Sequence, residues 1–301
     1  MKGGKRQRTN ALIRLMDDPD TLIFEAIQEE LLKEDAAIIP ELEKIWETTR
    51  HEICQIRIEN LIQKIRFRDN FKKLRHWSRQ PSPDLLEGFM LITKYHYPEL
   101  NEERINRRIE DIRKKVWVEI NNSLTSLEKI TVLNHIFFNG FGFTTAPEES
   151  MSPQYCFLNQ LLETRTGNAV SVALLYNIVA IRLNLPVKYI DLPRNPMLAY
   201  ADRRIAAKVH PPGVGTDILF YINPASNGSI TGRKELEYYM KKMNYNLSLA
   251  HYEASSPGCF ILRLLEALEK SYDKNGLSEK ASDIRKVIAL LDHKKRSRSP
   301  D

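Results

Sequence analysis

Apolar residues recur at three- and four-residue intervals along most of the chain, the spacing that lines one face of an α-helix. Asp17-Asp18-Pro19-Asp20 reads as the cap of a helix carrying Leu22, Ile23, Ile27, Leu31 and Leu32. Pro40 fits the first turn of the next helix, which carries Leu42, Ile45 and Trp46. A third helix holds Ile53, Ile56, Ile58, Leu61, Ile62 and Ile65, and a fourth runs from Asp69 toward Trp77. Pro81-Ser82-Pro83-Asp84 then interrupts the helical pattern. Further helices are predicted over 85–95, 102–120, 124–138 and 154–164, with a glycine-rich turn at Asn139-Gly140-Phe141-Gly142-Phe143. Ala169 to Leu183 is apolar nearly all round, through Val170, Val172, Leu174, Leu175, Ile178, Val179 and Ile181. Such a helix belongs at the centre of a domain. Beyond it the period drops to two, and 187–192, 197–200 and 218–222 read as strands. Residues 259–272 and 277–291 close the chain as a helical hairpin across Lys274-Asn275-Gly276.

The pattern predicts an α+β fold, mostly helical, with a small antiparallel sheet. It divides into a basic arm (1–10), a helical region of two antiparallel pairs sized like HEAT-type repeats (11–80), a core (81–256), a TPR-like hairpin (257–292) and a basic tail (293–301).

Composition narrows the function classes. With 42% hydrophobic and 28% charged residues over 301 positions, the chain is of the ordinary globular type. No apolar run is long enough to span a membrane, and none follows the polar start Met1–Asn10, which makes the cytoplasm the expected location. Eight basic residues at the two ends (Lys2, Lys5, Arg6, Arg8, Lys294, Lys295, Arg296, Arg298) exceed the net charge of +6, so the body is close to neutral. Such arms attract nucleic acid weakly and in a salt-sensitive way without forming a reading surface. One internal stretch, 64–79, holds seven basic residues, but Phe67, Phe71 and Leu74 share a helical face there, which makes the basic side chains a solvated flank. Cys54, Cys156 and Cys259 lie far apart and show neither zinc-site nor disulfide spacing. No phosphate-binding loop, dinucleotide fingerprint, HExxH or GxSxG occurs, so neither cofactor nor metal is expected.

What remains is the apolar helix entered through a glycine. Cysteine acyl-transfer enzymes place their nucleophile at such a helix start, where the dipole favours a thiolate. Here Leu133-Asn134, Gly140-Phe141-Gly142-Phe143, the run Phe157-Leu158-Asn159-Gln160-Leu161-Leu162-Glu163-Thr164-Arg165-Thr166-Gly167-Asn168-Ala169-Val170-Ser171, and Leu185-Pro186-Val187 keep an order and spacing that resembles the transglutaminase-like superfamily. Within it they resemble the SirB1 group, whose members join a helical N-terminal region, a transglutaminase-like (papain-like) core and a TPR-like C-terminus. The resemblance implies a Cys, His and Asp triad, whose positions it places on Ala169, Asn195 and Asn223. A methyl group cannot attack a carbonyl, and an amide neither titrates near neutral pH nor acts as a base. The resemblance also puts Asn159, Glu163 and Arg165 at positions where the group is polar, either holding the loop before Gly167 or lining a cleft.

Two other nucleophiles are open. Ser171, two residues on from Ala169, should point away from the site and bond backbone. Cys156 lies outside the helix with no base to activate it. The expectation is therefore a non-catalytic regulatory module that binds a protein partner. The alternatives are a cysteine-type amide hydrolase or acyl transferase with a displaced nucleophile, and a weak nucleic-acid binder.

Overall fold

The computed structural model describes residues 11–13, 15–17, 20–193, 196–210, 215–245 and 247–296. The chain forms two compact units, Met1–His76 and Trp77–Asp301.

In the first unit, α1 (Thr21–Leu32) begins where the Asp20 carboxylate accepts the Leu22 amide at 2.8 Å. It is followed by α2 (Ile39–Thr48) and α3 (Glu52–Trp77). The third and fourth helices expected from the sequence are one continuous helix of 26 residues. Nothing in that stretch breaks it, since Arg66 to Asp69 contains neither glycine nor proline. Cys54, Ile58, Leu61, Ile62 and Ile65 of α3 pack with Ile27, Leu31, Ile38 and Leu42 in one core. Ile53 and Ile56, expected inside, are 67% and 51% exposed, because they lie off the stripe that starts at Cys54. Leu74 is buried, while Phe67 and Phe71 are half-buried and stacked at 6.3 Å. The basic flank is largely answered from within: Arg66 pairs with Glu43 at 2.7 Å, Lys73 with Asp69 at 2.8 Å, and Arg68 donates to the Glu34 carbonyl.

The second unit is organised around one helix. Helices α4 (Leu85–His96), α5 (Glu102–Glu119) and α6 (Ser126–Asn134) each begin at a side-chain cap: Asp84, Asn101, and the reciprocal pair Thr125 and Glu128. The helix expected over 124–138 changes character at its end, where His135–Gly140 widens into a π-helix. The wider turn lets the successive residues Ile136, Phe137 and Phe138 all be buried, with Phe137 stacked 4.5 Å from Phe143. Strand β1 (Thr144–Thr145) pairs in parallel with β2 (Thr166–Gly167), on either side of α7 (Leu158–Thr164).

Helix α8 (Ala169–Arg182) buries every residue from Val170 to Ala180. It ends with Asn184 left-handed (φ 56°), the Leu185 amide donating to the Ala180 carbonyl at 2.9 Å, and Pro186 behind it. Ile181, expected on the apolar surface, is half exposed in that last turn. A four-stranded antiparallel sheet follows in the order β3 (Val187–Ile190), β4 (Met197–Ala201), β5 (Ile218–Asn223), β6 (Ser229–Thr231). Strand β4 is buried on both faces. Helix α8 packs on the sheet, and Leu236 and Met240 of α10 (Arg233–Lys242) share a cluster with Met197, Ala199 and Tyr221. Sequence patterning leaves α10, β6 and the short α9 (Arg203–Val209) unassigned. Helices α11 (Pro257–Lys274) and α12 (Ser278–Arg296) form the closing hairpin. Among the described residues, no helix is long and apolar enough to cross a membrane.

One polar clamp ties these layers. The buried Tyr176 hydroxyl of α8 donates to Asn134 Oδ1 at 2.7 Å, and Asn134 Nδ2 donates to the Gly228 carbonyl at 2.7 Å. Gly228 has φ +74°, and a Cβ there would lie 2.1 Å from Asn134 Oδ1. Gly228→Ala is therefore expected to destabilise the fold by about 3 kcal/mol, combining a left-handed non-glycine residue with a broken buried bond. Tyr176→Phe, which leaves one acceptor unpaired, should cost about 1–2 kcal/mol. Urea denaturation midpoints check both values and their order.

Candidate functional site at the start of the central helix

The approach to α8 is fixed by backbone bonds. Thr144 N–H donates to the Arg165 carbonyl (2.9 Å), Ala146 N–H to the Gly167 carbonyl (2.8 Å), and Asn168 N–H to the Tyr155 carbonyl (3.0 Å). Asn168 caps the helix, its Oδ1 accepting the Ser171 amide at 2.7 Å. The Ser171 hydroxyl donates to the Tyr155 carbonyl at 2.7 Å and sits 3.1 Å from the Asn168 carbonyl. It fills the space beside Gly167, where a Cβ would lie 2.4 Å from Ser171 Oγ. Ser171 is buried and bound to backbone, so it offers no nucleophile to solvent.

Ala169, the first residue of α8, lines a cleft of about 500 Å³. The cleft is bordered by Tyr155, Ser226, Arg263, Glu266 and Lys270, and no cysteine or histidine is among the described residues that line it. Arg263 and Glu266 lie 3.5 Å apart, so their charges largely offset each other. Asn223, at the end of β5, is turned on its own chain: its Oδ1 accepts the Ala225 amide and its Nδ2 donates to Ser226 Oγ, both at 3.1 Å. It lines a neighbouring cavity of about 270 Å³ walled by Leu192, Met197, Met240 and Met243. Ser226 borders both cavities, Ala169 lining one and Asn223 the other. Asn195 lies outside the described residues.

Cys156 is fully buried. Its sulfur accepts from Asn168 Nδ2 at 3.0 Å and lies 4.0 Å from Ser271 Oγ. Burial pushes the thiol up to about 12, outweighing both hydrogen bonds, so the group is a neutral thiol at pH 7. The helix start beside it does not activate it.

The three polar residues before Gly167 diverge. Arg165 is left-handed (φ 62°) at the end of α7, and its guanidinium lies over Phe143 (5.0 Å) and Phe141 (5.6 Å). Burial and the charge of Arg108 push its pKa down. Its carbonyl, not its side chain, holds β1. Glu163 reaches Arg104 at 3.0 Å instead of the loop. Asn159 lines a separate cavity with both of them. Asn168, to which sequence patterning gives no role, reaches both Ser171 and Cys156; an Asn directly before an apolar helix is the signal of such a cap. Among the described residues no group of His, Cys, Asp or Glu could hold a metal ion.

Residues 103–266 match the family model of the Transglutaminase-like superfamily, and the chain belongs to that superfamily. It is similar to a UPF0162 protein of Xylella fastidiosa (strain Temecula1), with 26% identity over 109 residues, 36% of this chain and 39% of the relative. It is also similar to a UPF0162 protein of Pasteurella multocida, with 31% identity over 90 residues, 30% of this chain and 34% of the relative. The match thus spans less than two fifths of the length of these relatives. No solved structure matches the chain.

The state of Cys156 has a direct chemical readout. In the native protein at pH 7, iodoacetamide should label it at least about a hundredfold more slowly than a free thiol, with the half-buried Cys259 labelled first. Mass mapping after timed quenching follows each site, and denaturant should remove the protection. A native labelling rate at Cys156 matching that of a free thiol would contradict this geometry.

Proposed function

We propose that the chain is a transglutaminase-like protein of the SirB1 type that has lost its catalytic triad and works by binding another protein. The observation that carries this reading is the methyl group of Ala169 at the first position of α8, where the superfamily's chemistry calls for a thiolate. Its surroundings support the same reading. Ser171 is spent on backbone, Cys156 is a buried neutral thiol, and Asn223 is bonded to its own turn. The helices of the first unit and the closing α11–α12 hairpin are the elements that would present the binding surface, since packed helices commonly work through such faces; with its third and fourth expected helices fused into α3, the first unit does not form the two HEAT-sized pairs expected from the sequence. The assignment of Asn195 to the histidine position rests on sequence resemblance. A displaced-nucleophile enzyme is disfavoured by the state of Cys156. A nucleic-acid role is disfavoured by the ion pairs of Arg66 and Lys73.

A pull-down from native cell extract tests the proposal, using the full chain and a version lacking residues 1–10 and 293–301, washed at low and high salt. A discrete protein retained by both versions at high salt is the expected result. Recovery only with the arms and only at low salt would replace the reading with non-specific polyanion binding. Amide hydrolysis or acyl transfer by the purified chain, abolished on alkylating Cys156, would overturn the non-catalytic half.

A further inference from the structure

Away from the cleft at Ala169, and sharing no lining residue with it, a cavity of about 340 Å³ lies between the α4–α5 turn, the first turns of α5, and α7. Its volume falls in the lower range of small-ligand sites. Tyr97, Leu100 and Ile105 give it an apolar wall. Two polar groups on the wall are under-used. Arg108 donates one hydrogen bond, to the Leu162 carbonyl at 3.0 Å, and among the described residues no carboxylate lies within ion-pair distance of it. Asn159 Oδ1 is shut away from solvent with no donor. The other charges are met: Arg104 and Glu163 bond each other at 3.0 Å, and Glu99 has a partner of its own.

A half-buried guanidinium with free N–H groups suits an oxyanion, which it can take in a bidentate fork. An unpartnered carboxamide on the same lining costs stability as it stands; its buried oxygen reaches a ligand once a turn about its last bond exchanges the positions of oxygen and nitrogen. An anion, an N–H and a short apolar body in one small molecule describe the carboxylate end of an amino-acid residue. We propose that this cavity binds the carboxylate end of an apolar amino-acid residue, with Arg108 on the carboxylate, the Asn159 carboxamide on the adjacent N–H and the side chain against Leu100 and Ile105. The residue is either a free amino acid or the C-terminal residue of a peptide. The site stands whether or not the cleft at Ala169 is catalytically silent.

Calorimetric titration of the full chain with N-acetyl-L-leucine, L-leucine and N-acetyl-L-leucinamide tests it. Saturable binding of at least one carboxylate is expected, with the leucinamide weaker by about tenfold or more, the loss of a charge-assisted hydrogen bond. Preference for N-acetyl-L-leucine assigns the site to a chain terminus, and preference for L-leucine to a free amino acid. Arg108→Gln, which keeps a donor for the Leu162 carbonyl, should weaken binding by about the same factor. Asn159→Ala should weaken it less and leave the melting temperature unchanged or higher, which separates ligand contact from folding. No saturable heat with either carboxylate up to about 10 mM, a limit well above the Kd of a used site, would overturn the proposal. So would equal binding of the amide, or wild-type affinity in both variants.

Discussion

A helix without a polar face is stable only where neighbours cover it on all sides and its backbone ends find partners. Helix α8 imposes that constraint on the whole second unit. Helices α4, α5 and α11, the strands β3 and β4 and the short rung β1–β2 are all placed against it. Burying eleven consecutive residues leaves few ways to satisfy polar groups inside the layer, and each one present is answered: Ser171 by the Tyr155 carbonyl, Tyr176 by Asn134, and Asn177 by the Val187 carbonyl at 2.8 Å. The last of these bonds ties the helix to the first strand of the sheet.

The same constraint explains the environment of the cleft. To put the first turn of α8 at a surface, the chain must deliver it through a glycine, cap it with Asn168 and brace the approach with backbone bonds from 144, 146 and 155. These are the supports a reactive group would need, and they are all occupied in holding the helix. Cys156 illustrates the difference between proximity and activation. It lies in contact with the cap residue, yet desolvation outweighs the hydrogen bonds it receives.

Long stretches of strong periodicity were legible in the sequence. The central helix, the existence of α5 and the closing hairpin all follow from spacing alone. What was not legible depends on tertiary packing. Three successive apolar residues at 136–138 fit an α-helical pattern, and only burial on every side selects the π geometry. Helix α10 shows few apolar positions, because only Leu236 and Met240 face the sheet while Tyr238 and Tyr239 stay exposed. At the candidate site, the residue types were readable but their directions were not. Glu163 and Arg165 are two positions apart, and the left-handed turn at Arg165 sends one toward Arg104 and the other over Phe143.

The bond from Asn134 to the Gly228 carbonyl joins positions 94 residues apart. A contact of that span is costly to form early, since the entropy of closing the intervening chain is lost before a single hydrogen bond returns any of it. The partners must already be held near each other by helix and strand packing. The β5–β6 turn is thereby held in the native fold by a side chain that α8 positions, so loosening α6 against α8 loosens the far edge of the sheet as well.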